Sequence, residues 1–335
     1  MACISLTSTG FDTISKKSSL IHYGQALRGL TEELSLGIYE GEEWQRATVI
    51  LCHLFETLQQ PQSTHSAPAH LSGAHALFQR HLHASSPVSV HSTLLLEGYI
   101  THTTNNCLFQ PLVFEKLPFH YVQNLLQSFR GSLAQLRLSY DEENCPWLGV
   151  YGLDIIGYVY KLSWLTKRMP LDSRMYAEAK TILNDINTDS SLEDPNFDCV
   201  VATSHPKSEK WEWIYHTRQV FRQACTCLAA TLVQDDGLDV TSDNENRLLL
   251  GAKLLNHLTD RMSPDPLLLW PLVVIGSLAS LGHTRDICIE IIGRHELVYS
   301  SATVLHITNF WHSTWSDPEQ SHVFRKDELL ERILL

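Results

Sequence analysis

The chain has 335 residues, 44% of them apolar, and a formal net charge of −12. That length buries a sizeable apolar core without disulfide staples. The acidic balance, with no dense run of Lys or Arg, excludes a surface built to grip a phosphate backbone, so no direct nucleic-acid partner is expected.

The first periodic segment is "SSLIHYGQALRGLTEELSLG", in which Leu20, Tyr23, Leu27, Leu30 and Leu34 recur at three- and four-residue steps. That spacing predicts an amphipathic helix, and Gly37 supplies its stop. "EEWQRATVILCHLFETLQQP" predicts a second, with Trp44, Ala47, Leu51, Leu54 and Leu58 on its stripe, acidic residues at its start and Pro61 at its close. "PAHLSGAHALFQRHLHASSP" continues the pattern with Leu71, Ala74, Leu77 and Phe78 behind Pro68. "FHYVQNLLQSFRGSLAQLRLSY" does the same with Val122, Leu125, Phe129, Leu133 and Leu136.

Two further helices, "WLGVYGLDIIGYVYKLSWLTKRM" and "LDSRMYAEAKTILNDI", are separated by Pro170, and a polar stretch over 187–209 then reads as a loop or hinge. "EKWEWIYHTRQVFRQACTCLAATLV" and "DNENRLLLGAKLLNHLTDRM" flank an acidic turn, "QDDGLD". The passage "DPLLLWPLVVIGSLASLGHTR" carries no formal charge between Asp265 and Arg285, close to the ~20 apolar residues of a membrane span. Pro266, Pro271, Gly276, Ser277, Ser280 and Gly282 interrupt it, so a buried helix is expected and no membrane partner. "HTRDICIEIIGRHELV", "ATVLHITNFWHSTW" and a charged tail, "KDELLERILL", complete the series.

Nowhere does period-two alternation between hairpin turns appear. The expectation is an all-α fold, a multi-helix bundle or irregular helical stack: an N-terminal segment 1–18, one large domain 19–316 and a tail helix 317–335. Leu329, Leu330 and Leu334 of the tail dock on the body or pair two copies, and the oligomeric state stays open.

The search for chemistry yields little. His70, His75, His81 and His83 crowd together, but their spacings do not aim two rings at one point and no HExxH arrangement exists, so no metal ligands are expected. Cys225 and Cys227 lie two apart on a helix and point to different sides, which disfavours a redox pair. The eight cysteines mostly stand inside apolar runs, the usage of buried thiols in a reducing compartment. The start "MACISLTSTGFDTISKK" lacks the form of a secretory signal. No GxSxG elbow, phosphate loop or dinucleotide fingerprint is present. Glu56 and Asp154 are acid–base candidates of the kind any helical protein carries. No catalytic or cofactor-binding residue is therefore expected. Trp147, Trp164, Trp211, Trp213, Trp270, Trp311 and Trp315 would suit the wall of a small-molecule pocket, although core packing is the default.

Several phrases together resemble one family. "IHYGQALRGLTEEL" (21–34) with His22 and Tyr23, "VILCHLFE" (49–56) with Glu56, and "HLSGAHALF" (70–78) with His70, Leu71, Gly73 and Ala74 are similar to three of its motifs. "LLLWPLVVIGSLASLGHTR" (267–285) resembles a fourth, with Trp270, Pro271, Gly276 and Arg285 in step and Trp315 following. The family is the fungal-specific transcription factor domain, the regulatory region usually found downstream of a binuclear zinc cluster. The likeness runs from about residue 20 to 316. Ala67 departs from it, standing where the family usually has Trp. So does the absence of six cysteines crowded into about thirty residues, as a binuclear cluster needs: Cys3 is the only one before Cys52. The resemblance implies a transcriptional regulator or co-regulator of the nucleus, or of nucleus and cytoplasm, without its own DNA-binding module. It would act through a protein partner such as a DNA-bound factor, with a small-molecule effector possible, in control of a secondary metabolic gene cluster. The alternative is a small-molecule-binding or catalytic helical protein of a metabolic pathway.

Overall fold

A computed structural model describes residues 13–36, 43–59, 66–83, 88–109, 117–141, 143–188, 209–234, 241–261, 268–294, 301–316 and 324. Among them the chain forms helices and no strand. In order these are α1 (Thr13–Ser35), α2 (Glu43–Gln59), α3 (Ser66–His83), α4 (Val90–Asn106), α5 (Tyr121–Leu136), α6 (Leu148–Tyr151), α7 (Leu153–Thr166), α8 (Ser173–Thr188), α9 (Glu209–Leu232), α10 (Thr241–Arg261), α11 (Leu269–Leu278), α12 (Gly282–Arg294) and α13 (Ser301–Trp315). The expected all-α stack is what the chain builds.

The packing runs in sequence through the stack. α1 lies on α2, α2 and α3 pair and cover α4, and α4 packs on α5 and α7. α9 is the hub of the second half, touching α6, α7, α8, α10 and α11, while α12 and α13 close over α11.

The apolar stripes of α3 and α5 are buried as the periodicity predicts: Leu71, Ala74, Leu77 and Phe78 on one, Val122, Leu125, Phe129 and Leu133 on the other. α2 differs. Trp44 and Leu51 of its predicted stripe are 40% and 53% exposed, whereas Gln45, Arg46 and His53 are buried with Val49, Ile50 and Phe55. The helix is rotated because its polar side chains find partners inside: Arg46 donates to Ser92 Oγ at 3.1 Å and its guanidinium lies 5.5 Å from the centre of the Phe78 ring. A buried cation is tolerated only with such compensation.

α4 has no counterpart among the helices expected from periodicity. Ser92, Thr93, Glu97, Thr101, Thr104, Asn105 and Asn106 are buried together with Leu96, Tyr99 and Ile100, so no apolar stripe marks its inner face. Capping and back-bonding let it form: Ser89 Oγ accepts from Ser92 N at 2.9 Å, Thr101 Oγ1 donates to Glu97 O at 3.0 Å, and Asn106 Nδ2 to His102 O at 2.9 Å.

The segment expected as one helix from Trp147 is cut into α6 and α7 at Gly152, whose φ of 88° lies where only glycine is at ease. α11 has ten residues, about 15 Å of helix, half of what a bilayer core requires. No helix of the described residues is long and apolar enough to cross a membrane. The expected loop at 187–209 falls mostly outside the described residues, as do the turn "QDDGLD" beyond Gln234 and the tail helix. Phe324, described alone in that region, is buried near Phe310, and its carbonyl accepts from Lys167 Nζ at 3.1 Å.

Replacing Gly152 with Ala should lower unfolding stability by about 1–3 kcal/mol because of its backbone angle. Gly131→Ala, on α5 with nothing within 4 Å of the added Cβ, should be neutral or stabilising by about 0.5–1 kcal/mol. Urea unfolding of the two variants tests the contrast, and equal midpoints would contradict the role given to Gly152.

Candidate functional site

The motif residues gather in two places. In the first, α1, α2 and α3 each contribute one polar side chain. The Tyr23 hydroxyl donates to Glu56 Oε1, His70 Nε2 stands 3.2 Å from that same oxygen, and the Tyr23 hydroxyl and His70 Nε2 are 3.3 Å apart. The Tyr23 ring stacks on Phe55 with centroids 4.5 Å apart. Burial, and then the Glu56 carboxylate, push the Tyr23 phenol well above its ordinary range, so it remains a proton donor at every physiological pH. Leu71 and Ala74, on the same helix as His70, are core residues. His22 and Gly73 lie on the outside. A Cβ on Gly73 would meet only Val49 Cγ1, at 3.9 Å, so the helix pair does not demand glycine there.

The second gathering is built on α11. Trp270 is fully buried, stacked on Phe221 of α9 with centroids 6.0 Å apart, and its indole N–H donates to Ser163 Oγ of α7 at 3.1 Å. Pro271 sits in the first turn of α11, where its missing N–H costs nothing. At Gly276 the helices α11 and α13 approach so closely that an added Cβ would lie 2.4 Å from Trp311 Cε2. The Gly276 carbonyl accepts from Trp315 Nε1 at 2.9 Å. Arg285 Nε donates to Ala279 O at 2.8 Å at the end of α11, where a cation suits the helix dipole, and its guanidinium lies 5.0 Å from the Trp315 ring.

The other candidates are dispersed. Asp154 is exposed and pairs with Arg130 at 3.1 Å. His75 Nδ1 lies 2.6 Å from the Tyr121 hydroxyl, and Tyr121 is 2.9 Å from the Tyr99 hydroxyl. Burial lowers the His75 pKa and raises those of both tyrosines, Tyr99 to about 12, which keeps this group neutral. The side chains of His81 and His83 lie outside the described residues. The tryptophans do not share one wall: Trp164 meets Phe119, Trp311 stacks on Trp315, and Trp211 is exposed. Burial raises the thiols of Cys107, Cys145, Cys227 and Cys288 to about 12 and pushes Cys225 up as well, which suppresses the thiolate a nucleophile needs.

Two features escape the sequence reading. Glu97 on α4 is fully buried, and its Oε1 accepts from Trp147 N at 2.9 Å and Leu148 N at 2.7 Å at the start of α6. Burial raises its pKa to about 7 in spite of those two donors. The other is a trio on two facing helices, Glu212, His216 and His257, whose ligand atoms lie within 4.8 Å of one another and are of a kind that holds a metal ion. The four-residue step from Glu212 to His216 was the one available signal. Nothing in the sequence pointed to Glu97.

Fold and site together define an all-helical body whose motif residues lock helix to helix. The chain belongs to the family of the fungal specific transcription factor domain, whose model matches residues 1–323. No curated protein matches it, and no solved structure does. Membership in this family supports a role in transcription regulation.

Gly276→Ala should cost about 1–3 kcal/mol, the usual penalty of overpacking against a rigid buried ring, read as a lower Tm; an unchanged Tm would refute the close approach of α11 and α13. Glu97 carries a pH signature. An acid whose folded pKa lies above its unfolded one, about 7 against 4.5, adds most stability below the lower value and loses it as pH rises through the higher. Stability of the wild type relative to Glu97→Gln should therefore fall between about pH 4.5 and 7 and level off above that. Urea midpoints measured across that range test it, and a constant difference would show that Glu97 titrates normally.

Proposed function

We propose that this chain regulates transcription through protein contacts made by its helical body, with DNA held by a partner factor or by a separate module. The match to the fungal specific transcription factor domain over residues 1–323 carries this reading. The net charge of −12 supports it, since a surface of that sign repels phosphate and favours a basic or neutral protein partner. The inward use of Tyr23, Glu56, Trp270 and Arg285 adds to it, because these motif residues are engaged in packing rather than offered to a substrate. The protein works in the nucleus as a regulator rather than an enzyme, and it controls a secondary metabolic gene cluster with a small-molecule effector as input.

Deletion of the gene in its fungal host, followed by transcript profiling, tests this. Altered transcripts of a clustered set of biosynthetic genes, with the tagged protein in the nucleus, are expected. Purified chain alone should not retard duplex DNA at about 0.15 M salt, where nonspecific binding of basic proteins persists. Unchanged transcripts together with accumulation of a metabolic intermediate would overturn the proposal in favour of an enzyme.

A further inference from the structure

The geometry points to a divalent metal site, best matched to Zn²⁺, formed by Glu212 and His216 of α9 and His257 of α10. Glu212 and His216 are four residues apart, so α9 presents them on one face, one turn above the other. α10 runs against that face, and near its end it brings His257 Nε2 to 3.3 Å from Glu212 Oε1. The rings of His216 and His257 stand edge to face with centroids 5.1 Å apart. The three ligand atoms fall within 4.8 Å of one another.

Zinc bonded tetrahedrally at about 2.0–2.1 Å places its ligands roughly 3.3 Å apart along each edge of the tetrahedron. The Glu212–His257 separation already has that length, so one edge is set by the packing of α9 on α10. One carboxylate and two imidazoles are an established zinc donor set that leaves a fourth position for water or an incoming group. The side chains of His257 and Glu212 are 36% and 39% exposed, which gives an ion a path from solvent. The site uses none of the residues of the two motif clusters. Bound there, the ion would clamp the first turns of α9 to the last turns of α10. Arg294 of α12 reaches the same end of α10, donating to Asn256 Oδ1 at 2.9 Å, so the clamp extends to a third helix.

A plain ion pair between Glu212 and protonated His257 is the competing use of the same atoms, and an exposed pair of that kind contributes little. The two are separated by titrating the full chain, stripped with a chelator, with Zn²⁺ in a calorimeter and with Co²⁺ by visible absorption. One Zn²⁺ per chain, a raised Tm and a tetrahedral Co²⁺ spectrum are expected. His257→Ala and His216→Asn should each weaken Zn²⁺ binding at least tenfold while helical circular dichroism stays unchanged. Failure of the wild type to bind stoichiometrically would overturn the site, and so would uptake that both variants leave unaltered. Should one variant fail to fold, Glu212→Gln, which keeps the shape and removes the charge, gives the same test.

Discussion

The second half of the molecule depends on the burial of Trp270. Its ring lies flat against Phe221 and its indole N–H reaches Ser163, so one side chain of α11 fastens α9 and α7 at once. α11 has no polar face to show to water: every residue from Leu269 to Ser277 is buried. A helix apolar on all sides must be enclosed by its neighbours, and α9, α10, α12 and α13 do so. The details follow from that enclosure. Gly276 removes a side chain where Trp311 must come close, and Arg285 satisfies the carbonyl of Ala279 where α11 ends.

The first half meets the opposite problem. α4 is equally central but largely polar, and a polar group taken from water is tolerated when it is paired. Thr93, Thr101 and Asn106 bond back along the chain, Ser92 receives Arg46, and Glu97 accepts two backbone donors at the start of α6, whereas Thr104 Oγ1 and both amide atoms of Asn105 are buried without a hydrogen-bond partner. Glu97 thereby joins α4 to the chain just before Gly152, where the backbone turns into α7. α7 packs on both α4 and α9 and so connects the polar and apolar halves.

The residues that carry the family likeness thus have a physical occupation. Tyr23, Glu56 and His70 hold the outermost helix, α1, to the pair beneath it, and Trp270, Gly276, Arg285 and Trp315 hold the closing helices to α11. Residues spent on holding a body together leave its exterior free to vary.

The sequence by itself determined the class of the fold, most of the helices and the faces of α3 and α5, because an uninterrupted apolar stripe at helical spacing drives that side of a helix into the core. It also carried the motifs that mark the family. What it could not supply was the pairing of distant polar groups. α2 turns Arg46 inward to Ser92 and Phe78 and His53 inward to the His102 ring, and leaves Trp44 and Leu51 outside. α4 was illegible since its buried threonines and asparagines form no stripe, and Gly152 broke a helix that looked continuous. Glu56 was legible as a motif residue, but its contact with Tyr23 and His70 spans three helices; Glu212 and His216 share a helix, but His257 comes from another. Hydrophobic spacing is local and can be read along one helix. Hydrogen-bond and ligand geometry depends on which helices meet, and only the tertiary structure decided that.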